Sequence, residues 1–254
     1  MFGKPRPKPI KVWQLPEGAA AGFVRHPCAA YRCENVPSFQ ALLDLLRQTS
    51  AAHPDHIVLA TLDDYGQACY TSGHARDMHG LEDDGTDWPD DSEPPPASIA
   101  TLHANLAAKA KDVTLQSLAG RLFWSHPDTP PFVQLQHEPD TVIDRQETYL
   151  LLAPVAHASE AVAAFPNGYF SSDLSPMENL ALAQHLERAY GYRLFGLGAS
   201  YIGFLRNAPL SDDAARALAA DIQSLHRDAD PAEIPAMAAV LQTNDWLLLF
   251  YSGR

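Results

Sequence analysis

Three polar side chains that follow predicted strands or loops could carry out general acid–base chemistry. His157 and Glu160 come directly after a predicted strand, and Asp173 lies in the loop before a predicted helix. A histidine with two carboxylates is a minimal set for proton transfer, and such groups often lie where a rigid strand ends. This pattern favours, as one alternative, a hydrolase-like enzyme that uses His157, Glu160 and Asp173. Glu178 and His185 follow on the next helix, where their spacing also fits capping and packing.

A glycine-rich segment, residues 196–203, partly matches two enzyme motifs, and each motif requires a glycine that the segment lacks. A dinucleotide fingerprint needs its third glycine at the position of Tyr201, and it needs a helix to follow. A nucleophile elbow centred on Ser200 needs a glycine at the position of Ile202. The small residues therefore predict a tight turn or a β-bulge between two strands.

Cysteine and histidine occur in two groups that could in principle bind a metal. His26, Cys28 and Cys33 form the first group, but no second Cys/His pair follows at the spacing of a zinc ribbon. The second group, His74, Asp77 and His79, lies beside an acidic stretch with nothing near in sequence to fix ligand geometry. Cysteine is among the most often buried residue types, so packing is the favoured interpretation. The sequence predicts no metal and no cofactor.

The strongest charge feature is an acidic loop that spans residues 80–97. Seven carboxylates lie within twelve positions: Glu82, Asp83, Asp84, Asp87, Asp90, Asp91 and Glu93. Trp88 is the only aromatic residue among them, and three prolines follow at 94–96. Mutual repulsion and proline exclude a helix or a central strand, so the segment is predicted to be an exposed loop. It either solvates the chain or docks a basic partner, with Trp88 and Tyr65 as aromatic anchors. Its spacing does not match an EF-hand loop.

The net charge narrows the classes of partner. The 254 residues contain 18 Lys and Arg against 31 Asp and Glu, which gives −13, and residues 82–93 alone contribute −7. A net anion repels phosphates, so nucleic acid is not expected as a partner. No apolar run is long enough for a membrane span, and the N-terminal residues do not resemble a signal peptide. Three scattered cysteines form no disulfide framework, so we expect a cytoplasmic protein.

The pattern of apolar residues predicts helices and strands in irregular order. Strands are expected at 10–15, 56–62, 67–72, 132–136, 149–155, 192–197, 201–205 and 246–251. Helices are expected at 38–49, from Ser98, from Ser175 to Gly191, from Ser211, and at 232–241. This mixture predicts an α+β fold, with mixed or antiparallel sheets flanked by helices in two subdomains, 1–140 and 141–254.

The C-terminal part carries an order of features that is similar to one known family. The features are the run 150–161 (LLLAPVAHASEA), a helix from Pro176 to Tyr190-Gly191-Tyr192, a strand pair to Arg206, an alanine-rich helix from Ala214, and an aromatic strand from Trp246. In this order they resemble a bacterial domain family of unknown function, numbered 4253, over residues 149–254. The resemblance implies an α+β domain and no established activity.

The chain departs from that family's pattern at two places. A loop of the type Trp-Asn-x-Cys-Pro is replaced by residues 167–173, and a cysteine expected after the alanine-rich helix is replaced by His226-Arg227-Asp228. A site built on those cysteines would therefore not carry over to this chain.

Together these features favour a non-enzymatic protein that binds a basic partner through the acidic loop. More specifically, we expect an immunity-type protein that neutralises a basic bacterial toxin domain, because an acidic surface attracts and covers a cationic one. The hydrolase described above is the alternative. A homo-oligomer joined through an edge strand is a third interpretation.

Overall fold

The computed structural model describes residues 8–21, 24–87, 95–124 and 131–252. Its strands are β1 (Lys11–Leu15), β2 (Ala20–Ala21), β3 (Val24–Arg25), β4 (Ala30–Glu34), β5 (Ile57–Leu62), β6 (Glu147–Ala153), β7 (Arg193–Gly198), β8 (Tyr201–Leu205) and β9 (Trp246–Phe250). Its α-helices are α1 (Phe39–Ala52), α2 (Tyr65–Met78), α3 (Ile99–Ala110), α4 (Phe132–His137), α5 (Pro176–Tyr190), α6 (Asp212–Ser224) and α7 (Ile234–Thr243). Short 3₁₀ helices span Leu115–Leu118, Pro139–Val142, Ala158–Ala164 and Pro231–Glu233.

Seven of these strands form one mixed sheet, and the fold class is α+β as predicted. The strand order is β1-β4-β6-β5-β7-β8-β9, and β2 pairs with β3 in a separate ribbon. Neighbouring strands of the large sheet are antiparallel, except that β5 and β7 are parallel. The sheet takes strands from both sides of residue 140, and β6 lies between β4 and β5. The predicted boundary at residue 140 therefore does not separate two sheets.

The helices with clear capping signals begin where the sequence predicts. Ser38 accepts from the amide of Ala41 at the start of α1, and Ser98 accepts from Thr101 at the start of α3. At α5, Ser175 and Glu178 form a reciprocal capping box, and Gly191 ends the helix with a left-handed φ of 71°. These contacts are local, which is why the residue types alone predict them.

Two predicted strands are wrong. Residues 67–72 lie in α2, which Asp64 caps by accepting from the amide of Gln67. Residues 132–136 lie in α4, where Phe132, Leu135 and Gln136 are buried at helical spacing. Each segment has only three apolar residues in a window too short to distinguish the period of a strand from that of a helix, and packing against the sheet selects the helix.

The sheet separates two apolar layers. On one face, Val58, Ala60, Leu150 and Leu152 pack against α1, with Leu42, Leu43 and Leu46 buried. On the other face, β5 and β6 contribute Leu59, Tyr149 and Leu151 to a larger layer that includes residues of α3, α5 and α6. Alternate residues of each strand thus serve opposite layers, as the period of a strand requires. The predicted tight turn within 196–203 is confirmed, since β7 ends at Gly198 and its antiparallel neighbour β8 begins at Tyr201. The register of the pair also shifts between Leu194 and Gly196.

Candidate functional site

The described part of the acidic loop is an exposed segment that begins where α2 ends. Gly80 has a φ of 52°, a conformation in which glycine carries little strain, and it turns the chain after α2. Leu81 is fully buried and anchors the segment, while Glu82, Asp83, Asp84 and Asp87 are exposed. These four carboxylates are called the acidic surface below. The other predicted partner-binding residues, Trp88, Asp90, Asp91 and Glu93, lie outside the described residues.

Asn105 on α3 holds the acidic surface in place. Its side-chain amide Nδ2 donates to the carbonyl oxygen of Leu81 at 3.0 Å and to that of Asp83 at 2.6 Å. Both acceptors belong to the backbone. This pair of hydrogen bonds, called the clamp below, therefore fixes the path of the chain without using the carboxylates. The acidic surface is thereby attached to a helix that is packed into the core.

Two carboxylates shape the turn itself. Asp83 Oδ1 accepts from the amide of Gly85 at 2.8 Å, and Asp84 Oδ1 accepts from the amide of Thr86 at 2.9 Å. Such side-chain turns are typical of aspartate, and the φ of 75° at Gly85 fits glycine. The charges are therefore presented on an ordered turn.

A cavity of about 350 Å³ separates the acidic surface from the beginning of α3. Glu82, Asp83 and Asp84 line one wall, and the opposite wall includes Ser98 and Thr101. The lining thus combines carboxylate and hydroxyl oxygens, hydrogen-bond acceptors suited to ammonium and guanidinium groups.

Glu82 joins the acidic surface to a buried cation. Its Oε1 lies 3.4 Å from Arg76 Nη1, and the Arg76 side chain is 5% exposed against 51% for Glu82. Burial lowers the pKa of Arg76, while the negative charge of Glu82 opposes that shift. Arg76 also donates to the carbonyl oxygens of Arg25 and Ala164, at 3.2 and 3.4 Å.

Arg76 ends a buried polar row on α2 that also contains Tyr65, Cys69 and Ser72. Tyr65 is 2% exposed, so the prediction that it anchors a partner is wrong. The Tyr65 hydroxyl lies 3.1 Å from His26 Nε2, and the Tyr65 ring stacks on Tyr149 at 4.3 Å between centroids. Burial lowers the pKa of His26 to about 4, with a smaller contribution from Arg76. Burial also raises the pKa of Cys28 to about 12 and that of Cys69 to about 11.

These shifts favour the neutral form of each group. A reactive cysteine needs a thiolate, whereas the buried thiols of Cys28 and Cys69 are held protonated at neutral pH. Among the described residues, no group of three or more His, Cys, Asp or Glu side chains could hold a metal ion. Tyr65 and Arg76 link α2 to its surroundings by hydrogen bonds. The thiols of Cys28 and Cys69 are not activated as nucleophiles.

The three residues of the hydrolase alternative enter structural hydrogen bonds. Glu160 Oε2 accepts from the amides of Ala156 and His157, each at 3.0 Å, and so closes the start of a 3₁₀ helix. Asp173 is 2% exposed; it accepts from the Ser252 hydroxyl at 2.9 Å and from the amide of Phe170 at 3.2 Å. His157 itself is exposed.

Glu178 and His185 have separate partners on other elements. Glu178 accepts from Arg121 Nε at 2.7 Å, which lowers the pKa of Glu178 although burial opposes the shift. His185 Nε2 lies 2.7 Å from Asp221 Oδ2 on α6, and the Tyr190 hydroxyl donates to the same oxygen. These contacts tie α5 to Arg121 and to α6.

Sequence reasoning missed the chemistry of Asp63, which lies between the strands predicted at 56–62 and 67–72. Asp63 follows β5 at the carboxyl end of the parallel pair and has a φ of 42°. Its Oδ2 accepts from the amide of Ser200 at 3.0 Å, and its Oδ1 is buried without a hydrogen-bond partner. Burial raises the pKa of Asp63 to about 7, against the effect of the nearby amides of Ser200, Asp64 and Tyr201. The Asp63-Asp64 pair directly after an apolar strand was the available signal.

Comparison with protein-family models, with curated proteins and with solved structures finds no match to this chain. The resemblance of residues 149–254 to the family of unknown function therefore stays a prediction. The longest helix in the described ranges, α5, has 15 residues, and none there is both long and apolar enough to cross a bilayer.

Proposed function

We propose that this protein binds a basic protein partner through the acidic surface. The observation that carries the proposal is the clamped turn: Asn105 holds the backbone at Leu81 and Asp83 while the carboxylates beside it stay exposed. A preordered charged surface loses less entropy on binding than a mobile one, so more of its attraction is retained in the complex.

The surface supports recognition of lysine and arginine side chains in particular. Carboxylates accept charge-assisted hydrogen bonds from these groups, and the adjoining cavity of about 350 Å³ can admit a side chain. The net charge of the whole chain, −13, would speed the encounter with a cationic partner.

The specific form of the proposal is an immunity-type protein that neutralises a basic bacterial toxin domain in the cytoplasm. The three cysteines are buried and free, which is the usual state in a reducing compartment. Coverage of a cationic surface would explain why the acidic residues are concentrated on one segment. A homo-oligomer is compatible with this role and is not required by it.

The test replaces three carboxylates of the acidic surface by neutral isosteres in one variant: Asp83→Asn, Asp84→Asn and Asp87→Asn. Glu82 is kept because it pairs with the buried Arg76. Asparagine keeps the carbonyl oxygen that accepts from the turn amides, so the turn is preserved. A matched control neutralises three exposed acids elsewhere: Asp55→Asn, Asp112→Asn and Asp213→Asn.

Binding of a fluorescein-labelled deca-lysine peptide is measured by anisotropy over a range of salt concentrations. We expect the surface variant to lose affinity on the order of tenfold relative to the control variant, and to show a shallower salt dependence. Equal losses in the two variants would show that only net charge matters and would contradict the proposal.

The immunity form needs a second measurement, because a peptide reports only the charge preference. Cross-linked capture from the source cells should recover a basic domain with the wild type and not with the surface variant. Expression of that domain alone should be toxic, and co-expression of the wild type should restore growth. Rescue by the surface variant would contradict the role of these residues.

A further inference from the structure

A second cavity, of about 430 Å³, lies on the α1 face of the sheet. It is found where the parallel strands β5 and β7 begin, beside the last turns of α1 and the end of β8. Its size falls within the range typical of small-molecule sites. We call it the basic pocket.

The floor of the basic pocket is apolar. Leu46, Val58 and Phe195 are buried residues of the α1 layer, and Leu205 is half-buried at its edge. Phe195 follows Leu194, which belongs to the opposite layer, so the alternation of a strand brings the Phe195 ring to this face. Its ring packs on Gly203 of β8, where a Cβ would overlap it.

The rim of the pocket is cationic in an otherwise acidic protein. Arg47 and Arg193 are exposed lining residues, joined by His56 and Asn207, and no Asp or Glu is among the described lining residues. Arg47 Nη1 is paired at 3.1 Å with Asp44, one turn before it on α1. In the described part of the chain, no hydrogen bond or ion pair engages the side chain of Arg193.

We propose that the basic pocket binds a small amphipathic carboxylate, such as a medium-chain fatty acid. The hydrocarbon would cover Leu46, Val58 and Leu205, and the carboxylate would lie at Arg193. Guanidinium binds carboxylate through two parallel hydrogen bonds, and the apolar floor contributes in proportion to the area it removes from water. The pocket lies apart from the acidic surface, so this site does not depend on the function proposed above.

The experiment uses the full chain and three probes with the same hydrocarbon tail. Octanoate, octylammonium and octanol are each titrated calorimetrically into the wild type at pH 7.5. We expect octanoate to bind and octylammonium to bind at least tenfold more weakly, since the rim repels a cation. Equal binding of the two ions, or no heat with octanoate at millimolar concentration, would overturn the proposal.

The variant Arg193→Gln should bind octanoate on the order of tenfold more weakly than the wild type does, and its affinity for octanol should be unchanged. The matched control is Arg216→Gln, an exposed arginine on α6 that makes the same change in net charge. Circular dichroism checks that both variants keep the fold. Equal losses of octanoate binding in the two variants would count against the site.

Methyl NMR spectra locate the ligand independently of affinity. Octanoate should shift the methyl signals of Leu46, Val58 and Leu205 and leave those of Leu106 and Leu218, in the opposite layer, unchanged. Shifts confined to the opposite layer would place the ligand elsewhere and overturn the proposal.

Discussion

Asp63 shows how one buried carboxyl can make stability depend on pH. Its pKa of about 7 lies above the ordinary value of 3.8, because burial disfavours the charged form. The folded state therefore holds a proton that the unfolded chain releases between about pH 4 and pH 7. The contribution of Asp63 to stability therefore falls as pH rises through this range and levels off above it.

We expect Asp63→Asn to remove this dependence. The free energy of unfolding of the wild type, minus that of the variant, should drop by a few kcal/mol from pH 4.5 to pH 8. The lowered pKa of His26 acts in the opposite direction in both proteins, so it cancels in this difference. Asparagine also accepts the left-handed φ of 42° at this position. Urea titrations at several pH values measure the effect.

Asp64→Asn is the control for this prediction. Asp64 is exposed and caps α2, and asparagine is an equally good cap. The control should retain the pH profile of the wild type. A profile for Asp63→Asn that matches the wild type would assign the titration to another group.

At the scale of elements, α4 protects the edge of the sheet. Gln136 is 1% exposed; its Nε2 donates to the Leu248 carbonyl oxygen at 2.8 Å, and its Oε1 accepts from the Leu248 amide at 2.9 Å. One side chain thus supplies both hydrogen bonds that a further strand would give Leu248 of β9. An exposed edge is a template for aggregation, so this contact keeps the sheet closed on that side.

Gln136→Leu should destabilise the protein by about 2–4 kcal/mol, because the amide and carbonyl of Leu248 lose their partners. Gln134→Leu, on the same helix at an exposed position, controls for the change in helix propensity and apolarity. Denaturant titration measures both variants. A cost for Gln136→Leu no larger than that for Gln134→Leu would contradict the edge-protecting role.

At the scale of the whole molecule, the shared sheet makes the two halves interdependent. β6 is hydrogen-bonded to β4 and β5, and β7 is hydrogen-bonded to β5, so a cut at residue 140 removes both neighbours of β6. We expect neither the fragment 1–140 nor the fragment 141–254 to unfold cooperatively, whereas the full chain should unfold in one transition. Near-UV circular dichroism during urea titration makes the comparison. A cooperative transition in either fragment would show a separable domain.

The sequence alone determined the features whose causes are local. Neighbours within one or two turns determine the capping box at Ser175 and Glu178 and the end of α5 at Gly191. The same holds for the exposure of Glu82, Asp83 and Asp84. Residue type and spacing are sufficient for such features, because the interacting groups are close along the chain.

Only the tertiary structure decided the rest. Residues distant in sequence determine that β6 lies between β4 and β5 and that α2 is a helix. They also determine that Arg76 and the carboxyl of Asp63 are buried, and that Arg47 and Arg193 line the same pocket. No local preference specifies which strands pair or which cation becomes buried, since those outcomes depend on how the whole apolar surface is covered. The acidic surface was therefore foreseeable, and the clamp by Asn105 and the basic pocket were not.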